Sequence, residues 1–192
     1  IGQDGISIRT QRVQKTLPLS AERDGFACLK TAPCLKMAVF NRYGRDQHGI
    51  GLLTGMDGVT GAAALTYGHD CHNLTVYGGN DADMALAANT LRDAQGGLCT
   101  AENGKVLTLI PLPLAGLMCD QSPEALLAQM EQFLADCRRM GFTHKNLLTF
   151  FTLMPLAVSP ELKCTDRGLV DALHKRLLPL IEEIKEISSD GT

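Results

Sequence analysis

The chain has 192 residues, 45% of them apolar and 20% charged, which fits one globular domain whose core needs no covalent staples. A net charge of −3, with the basic residues scattered, excludes a concentrated phosphate-binding face and with it a nucleic-acid partner. No bilayer-length apolar run and no secretory h-region is present, and seven cysteines without a CxxC pair exclude a zinc ribbon.

Free thiols, no disulfide, no membrane and a cytoplasmic location are therefore expected. The first residue is Ile1 rather than methionine, as in a processed protein or a piece of a longer one.

In chain order, residues 6–19 alternate loosely and read as an extended arm or edge strand. Residues 34–40 ("CLKMAVF") predict a strand. A glycine-rich polar stretch follows over 41–61, with a short strand over 51–54. Residues 62–67 and 74–77 are short apolar runs bracketed by turn formers and predict two buried strands. Asn80 is placed to cap a helix over 82–94, with Asp83 reaching back to it and Gly96-Gly97 ending it. Residues 98–101 and 105–110 flank "ENG" and predict a hairpin.

Ser122 followed by Pro123 starts a second helix over 124–140. Its Leu126, Leu127, Met130, Phe133, Leu134 and Cys137 share one face. Residues 147–158 form an apolar block broken by Pro155. Leucines and isoleucines three or four apart predict a last helix over 169–187. The sum is a single α+β domain with a mixed or antiparallel β-sheet covered by helices.

"TYGHDCHN" (66–73) lies between the two short buried strands and concentrates function-capable residues. His69 and His72 are metal-type residues, but their i, i+3 spacing would point them to opposite sides of a strand. Cys71 between two histidines has the composition of an activated nucleophile. A strand–loop–strand corner, with His69, Asp70 and Asn73 satisfying backbone groups, explains the same residues structurally.

Several stretches together resemble one family. They are "GIGLLTG" (49–55), "GAAAL" followed by "HDCHN" (61–73), "GGNDADMALAAN" (78–89), "LPLAGLM" (112–118) and "PELKCTDRGLVD" (160–171). In this order they are similar to the C-terminal domain of adenine deaminases of the amidohydrolase superfamily. The resemblance covers 1–171, and 172–192 reads as a helical extension of the same domain. The family carries serine where Cys71 and Cys119 stand, so neither position demands a thiol.

The resemblance implies a reaction in which a metal-bound hydroxide attacks C6 of adenine and ammonia leaves, giving hypoxanthine for purine salvage. The family's metal-binding barrel carries an HxH pair. No such pair occurs here, and a barrel takes about 250 residues. What is implied is the C-terminal portion of the enzyme, not self-sufficient. No cofactor is expected in this chain alone, and a divalent metal, manganese or iron, is expected in the barrel. The implied partners are that barrel, a purine base and further copies of the chain in a homo-oligomer.

The resemblance sets His69, Asp70 and His72 toward the catalytic mouth. Asn73 faces the substrate, and Asn80 and Asp81 join it as candidate substrate-binding residues. Strand alternation would split His69 and Cys71 from Asp70 and His72. It would leave Asp70 and one histidine partly buried and paired, with Asn73 and the other histidine open. Two other readings differ in class. One is a free-standing, catalytically silent purine-binding or oligomerisation module. The other is a small hydrolase with a metal on His69, His72 and His48.

Overall fold

Period-two alternation sorts the apolar side chains of the central sheet onto two faces of unequal size. The computed structural model describes residues 34–182, together with Thr10, Arg12 and a ribbon of β1 (Ser20–Ala21) and β2 (Ala27–Cys28). The sheet contains β3 (Leu35–Phe40), β4 (His48–Leu53), β5 (Ala62–Leu65), β6 (Leu74–Gly78), β7 (Gly97–Glu102) and β8 (Lys105–Pro111). Its order is β4-β3-β6-β5-β7-β8, antiparallel at every pairing. On one face the large residues Leu35, Met37, Val39, Leu65, Tyr77 and Ile110 enter the main core. On the other, Ala38, Ala62, Ala64 and Ala101 leave room for α1 (Asp81–Asp93) to sit close.

The main core is closed by α2 (Pro123–Arg139) and the short α3 (Leu147–Leu153). A second sheet of β9 (Leu162–Thr165), β10 (Gly168–Asp171) and β11 (Arg176–Leu178) completes the cover over β4. Gly49 and Gly51 make this seat. A Cβ on Gly49 would lie 2.0 Å from the Thr165 carbonyl oxygen, and one on Gly51 would lie 3.2 Å from the Cys164 side chain. The α+β expectation holds, with an antiparallel sheet.

The first two predicted helices stand. Asn80 Oδ1 accepts from the Asp83 N–H, and Asp83 accepts from Asn80 Nδ2 at 2.8 Å. Asp83 also accepts from the backbone N–H groups of Asn103 and Gly104, tying α1 to the β7–β8 turn. Burial pushes its carboxyl up, but these hydrogen bonds outweigh burial and hold it below its ordinary value. On α2, Phe133 and Cys137 are buried, whereas Leu127 faces outward at 60% exposure and leaves the predicted apolar face.

The predicted helix over 169–187 is not found across its described part. A β-meander takes its place, with β10 paired to both β9 and β11. The helical spacing of Leu173 and Leu177 misleads because both are more than half exposed and form no buried stripe. The last five residues of that prediction, 183–187, and most of the predicted arm over 6–19 lie outside the described residues. Within the arm, Thr10 exchanges hydrogen bonds with the backbone of Leu162, and Arg12 pairs with Glu182.

None of the six cysteines with described side chains is in a disulfide. Burial pushes Cys99 up to about 11, Cys164 up to about 12, and Cys137 up as well, while it pulls Lys163 down to about 8. The unfolded thiols ionise near their ordinary value of 9.0, and the folded ones ionise later. Stability is therefore lost as pH rises through about 9 to 12. Lys163 acts with the opposite sign, because its folded form sheds a proton first and favours folding between about 8 and 10.5. Three thiols outweigh one amine. The melting temperature should be level near pH 8 and fall above about pH 9.5. A melting temperature that climbs steadily to pH 11 would contradict this.

Candidate functional site

The loop 66–73 joins β5 to its sheet neighbour β6, so both its ends are fixed by the ladder. Thr66 is buried; its hydroxyl donates to the Gly116 carbonyl at 2.7 Å and accepts from the Gly97 N–H at 2.8 Å. The His69 N–H donates to the Thr152 carbonyl at the end of α3. From the 41–47 stretch, Arg42 Nε donates to the His72 carbonyl at 2.6 Å, and the Tyr43 hydroxyl donates to the Cys71 carbonyl at 3.1 Å. Neighbours thus satisfy much of the loop backbone, which holds the corner in one shape.

Asp70 and His72 both adopt positive φ, 62° and 47°. A Cys71 N–H to His69 carbonyl bond of 2.8 Å closes a three-residue turn around Asp70. These left-handed positions break the extended geometry, so the expected alternation of side chains fails. Asp70 is not partly buried: its side chain is 68% exposed, beside His69 at 57%, with His69 Nδ1 3.2 Å from Asp70 Oδ1. His72 is half-buried; its Nδ1 accepts from the Gly68 N–H at 3.4 Å, and its ring lies 6.3 Å from that of Tyr67. Asn73 is buried at 6% exposure, not open, and its Oδ1 has no hydrogen-bond partner among the described residues.

Asp70, Cys71 and Asn73 line an open cleft of about 370 Å³ with the 155–158 loop, the β9–β10 turn and Val170. From that turn Asp166 accepts from Asn41 Nδ2 at 2.8 Å, and Arg167 stands exposed beside it. Burial first, then the nearby Asp166 and Asp70 carboxylates, raises the Cys71 thiol above its ordinary value. Cys71 is therefore a poor nucleophile at neutral pH.

The structure does not bring all the candidates together. Asn80 and Asp81 lie beyond the far end of β6 from Asn73, a strand length of about 16 Å away. Both side chains are engaged there. Asn80 Nδ2 donates to the Thr60 carbonyl and to Asp83, and Asp81 pairs with Lys36 at 2.6 Å. His48 sits on β4, stacked against Phe40. Among the described residues no three His, Cys, Asp or Glu side chains are grouped so as to hold a metal ion.

Sequence reasoning missed Arg42 and Tyr43, the clamps of the loop, and Asp166 and Arg167, the far wall of the cleft. "NRYGRD" was a readable signal, since a basic and an aromatic side chain inside a glycine-rich stretch need a partner. No described helix is long and apolar enough to cross a membrane.

The family model described as adenine deaminase C-terminal domain matches residues 7–176. An adenine deaminase of Clostridium botulinum (strain Loch Maree) is 39% identical over 182 residues, covering 93% of this chain and 30% of the relative. The Moorella thermoacetica adenine deaminase is 41% identical over 151 residues, 78% of this chain and 25% of the relative. The Methylobacterium nodulans one is 41% identical over 164 residues, 85% of this chain and 29% of the relative. The chain thus spans less than a third of the length of these relatives. Matched along most of its length, this chain belongs to the adenine deaminase C-terminal domain family.

Proposed function

We propose that the chain is the C-terminal portion of an adenine deaminase, acting in the conversion of adenine and water to hypoxanthine and ammonia only beside a metal-binding barrel. The observation that carries this reading is the family match over 7–176 combined with the chain's share of its relatives, about 30%. A barrel supplying the hydrolytic step is consistent with the described residues, which group no three metal-type side chains.

This chain supplies a preformed hydrogen-bonding corner. His69 and Asp70 project from a loop held by Arg42, Tyr43 and Thr152, and Asp70 orients the imidazole. In water such an exposed pair contributes little. Covered by a second domain, the same groups would sit in a lower dielectric, where their hydrogen bonds to a purine strengthen.

Two measurements test this. The purified chain, supplemented with manganese or iron, should produce no hypoxanthine from adenine; turnover above a host-protein control overturns the dependence on the barrel. In a full-length relative, the equivalents of Asp70→Asn and His72→Ala should each lower kcat/KM by about tenfold, or about 1.4 kcal/mol of transition-state stabilisation, with the melting temperature unchanged in Asp70→Asn and little changed in His72→Ala. Full activity in both variants returns the corner to a purely architectural part.

A further inference from the structure

Three connections, 41–43, 66–73 and 112–118, meet at one end of the six-stranded sheet, because Phe40 pairs with Leu74, Leu65 with Leu98, and Gly97 with Pro111. Tyr43, Tyr67, Leu114 and Met118 stand on these connections, each between 46% and 60% exposed. A lone exposed apolar residue needs no account, whereas several brought to one place mark a surface made to be covered.

The surface is held in shape. Arg42 ties two of the connections together: its Nε donates to the His72 carbonyl at 2.6 Å and its Nη2 to the Ala115 carbonyl. The Thr66 hydroxyl makes a second tie to the Gly116 carbonyl. Leu114 and Met118 close the turn between them, each N–H donating to the other's carbonyl, at 3.1 and 3.2 Å. Gly116 within that turn takes φ 71°, and a Cβ there would collide with the Arg42 guanidinium. Folding Leu114 and Met118 back onto the domain would break these bonds, so both stay in water until a partner covers them.

We propose that this end of the sheet is the seat of the metal-binding barrel in the whole enzyme. The inference rests on the functional reading above, in which the His69–Asp70 corner meets a second domain. That corner belongs to the 66–73 connection, so a domain that covers it must also approach Tyr67 and the 112–118 turn. More than two thirds of the Clostridium botulinum relative lies outside the match, enough chain for such a domain. A second copy suits the place less well, since a two-fold contact would set corner against corner and shut substrate out of both. Tyrosine and methionine also fit an interface core, where aromatic and adaptable apolar side chains are enriched.

Hydrogen exchange in the full-length Clostridium botulinum relative tests this, together with melting and sedimentation of the 192-residue chain. The equivalents of Met118→Glu and Leu114→Glu should each speed exchange at least about tenfold in the 112–118 segment and, with it, in a segment of the barrel. In the 192-residue chain the same two changes, both on exposed side chains, should leave the melting temperature within about 2 °C of the parent and the sedimentation unaltered.

Barrel exchange that neither variant alters overturns the proposal. Self-association of the 192-residue chain that either variant abolishes also overturns it, by assigning the face to a second copy. So does a fall of more than about 5 °C in the chain's own melting temperature in both variants, which would make these side chains part of the domain's own packing. None of these readouts depends on the chemistry. If barrel exchange is unaltered while the Asp70→Asn equivalent still cripples the relative, this inference fails and the functional reading stands. If the barrel responds while the relative is indifferent to Asp70 and His72, the functional reading fails and the seat stands.

Discussion

Phe151→Ala is expected to lower the free energy of unfolding by about 4 kcal/mol, within the usual range for a buried Phe-to-Ala change. Phe151 is fully buried where α3, α2 and the sheet meet. Its ring centroid lies 4.9 Å from that of Tyr77, 5.3 Å from Phe142, 5.6 Å from Phe150 and 6.3 Å from Phe133. Truncation would open a void that no single neighbour can fill, because each ring is held by others. The Phe151 carbonyl also accepts from the Tyr77 hydroxyl at 2.7 Å, so movement of α3 would strand a buried phenol. Against a typical total of about 5–15 kcal/mol, the loss leaves a marginal fold. Urea denaturation measures it, with Leu127→Ala on the exposed face of α2 as the control, expected within about 0.5 kcal/mol of the parent. A Phe151→Ala loss below about 1 kcal/mol would show that this cluster is not the centre of the core.

Gly49→Ala should cost about 3 kcal/mol and should also disturb the cleft. The added carbon would lie 2.0 Å from the Thr165 carbonyl oxygen and 2.5 Å from the Gly168 nitrogen, both backbone atoms, so no rotamer change relieves it. The second sheet must lift from β4 instead. Asp166 and Arg167, in the turn between β9 and β10, would be carried with it. Gly58→Ala is the matched control, since no described atom lies within 4 Å of its Cβ position. It should be neutral or slightly stabilising, through the narrower unfolded ensemble. Equal effects of the two alanines in thermal denaturation would mean that the β4 seat is looser than its geometry states.

Much of this architecture was legible where one local rule acted alone. Alternation marked β3, the Asn80 and Ser122 caps marked the starts of α1 and α2, and "ENG" marked the β7–β8 turn. Legibility failed where two periods competed. Leu169, Leu173 and Leu177 satisfy a helical spacing, yet strand pairing with β9 and β11 won, and Lys175 at φ 53° turned the chain between β10 and β11. In the site, composition identified the loop, but side-chain directions followed from the positive φ of Asp70 and His72. Asp and His enter that region more readily than most residues, so the turn was readable in kind, though not its consequence for Asn73. Asp166 and Arg167 could not be placed from spacing, because β4 and the second sheet meet across more than a hundred residues of chain.

The β5–β6 connection also bears on how such a corner can change. Its eight residues, 66–73, bridge two strands already paired with each other and, on their far sides, with β7 and β3. The ladder therefore does not depend on the bridge for its register. Doubling the bridge length would add only about 0.6 kcal/mol of closure entropy. An insertion at the outward tip, His69–Asp70, would break the turn between the Cys71 N–H and the His69 carbonyl but leave the roots, fixed by buried Thr66 and Asn73, in place. A change of length here would alter the chemistry of the corner while the sheet beneath stays unaltered.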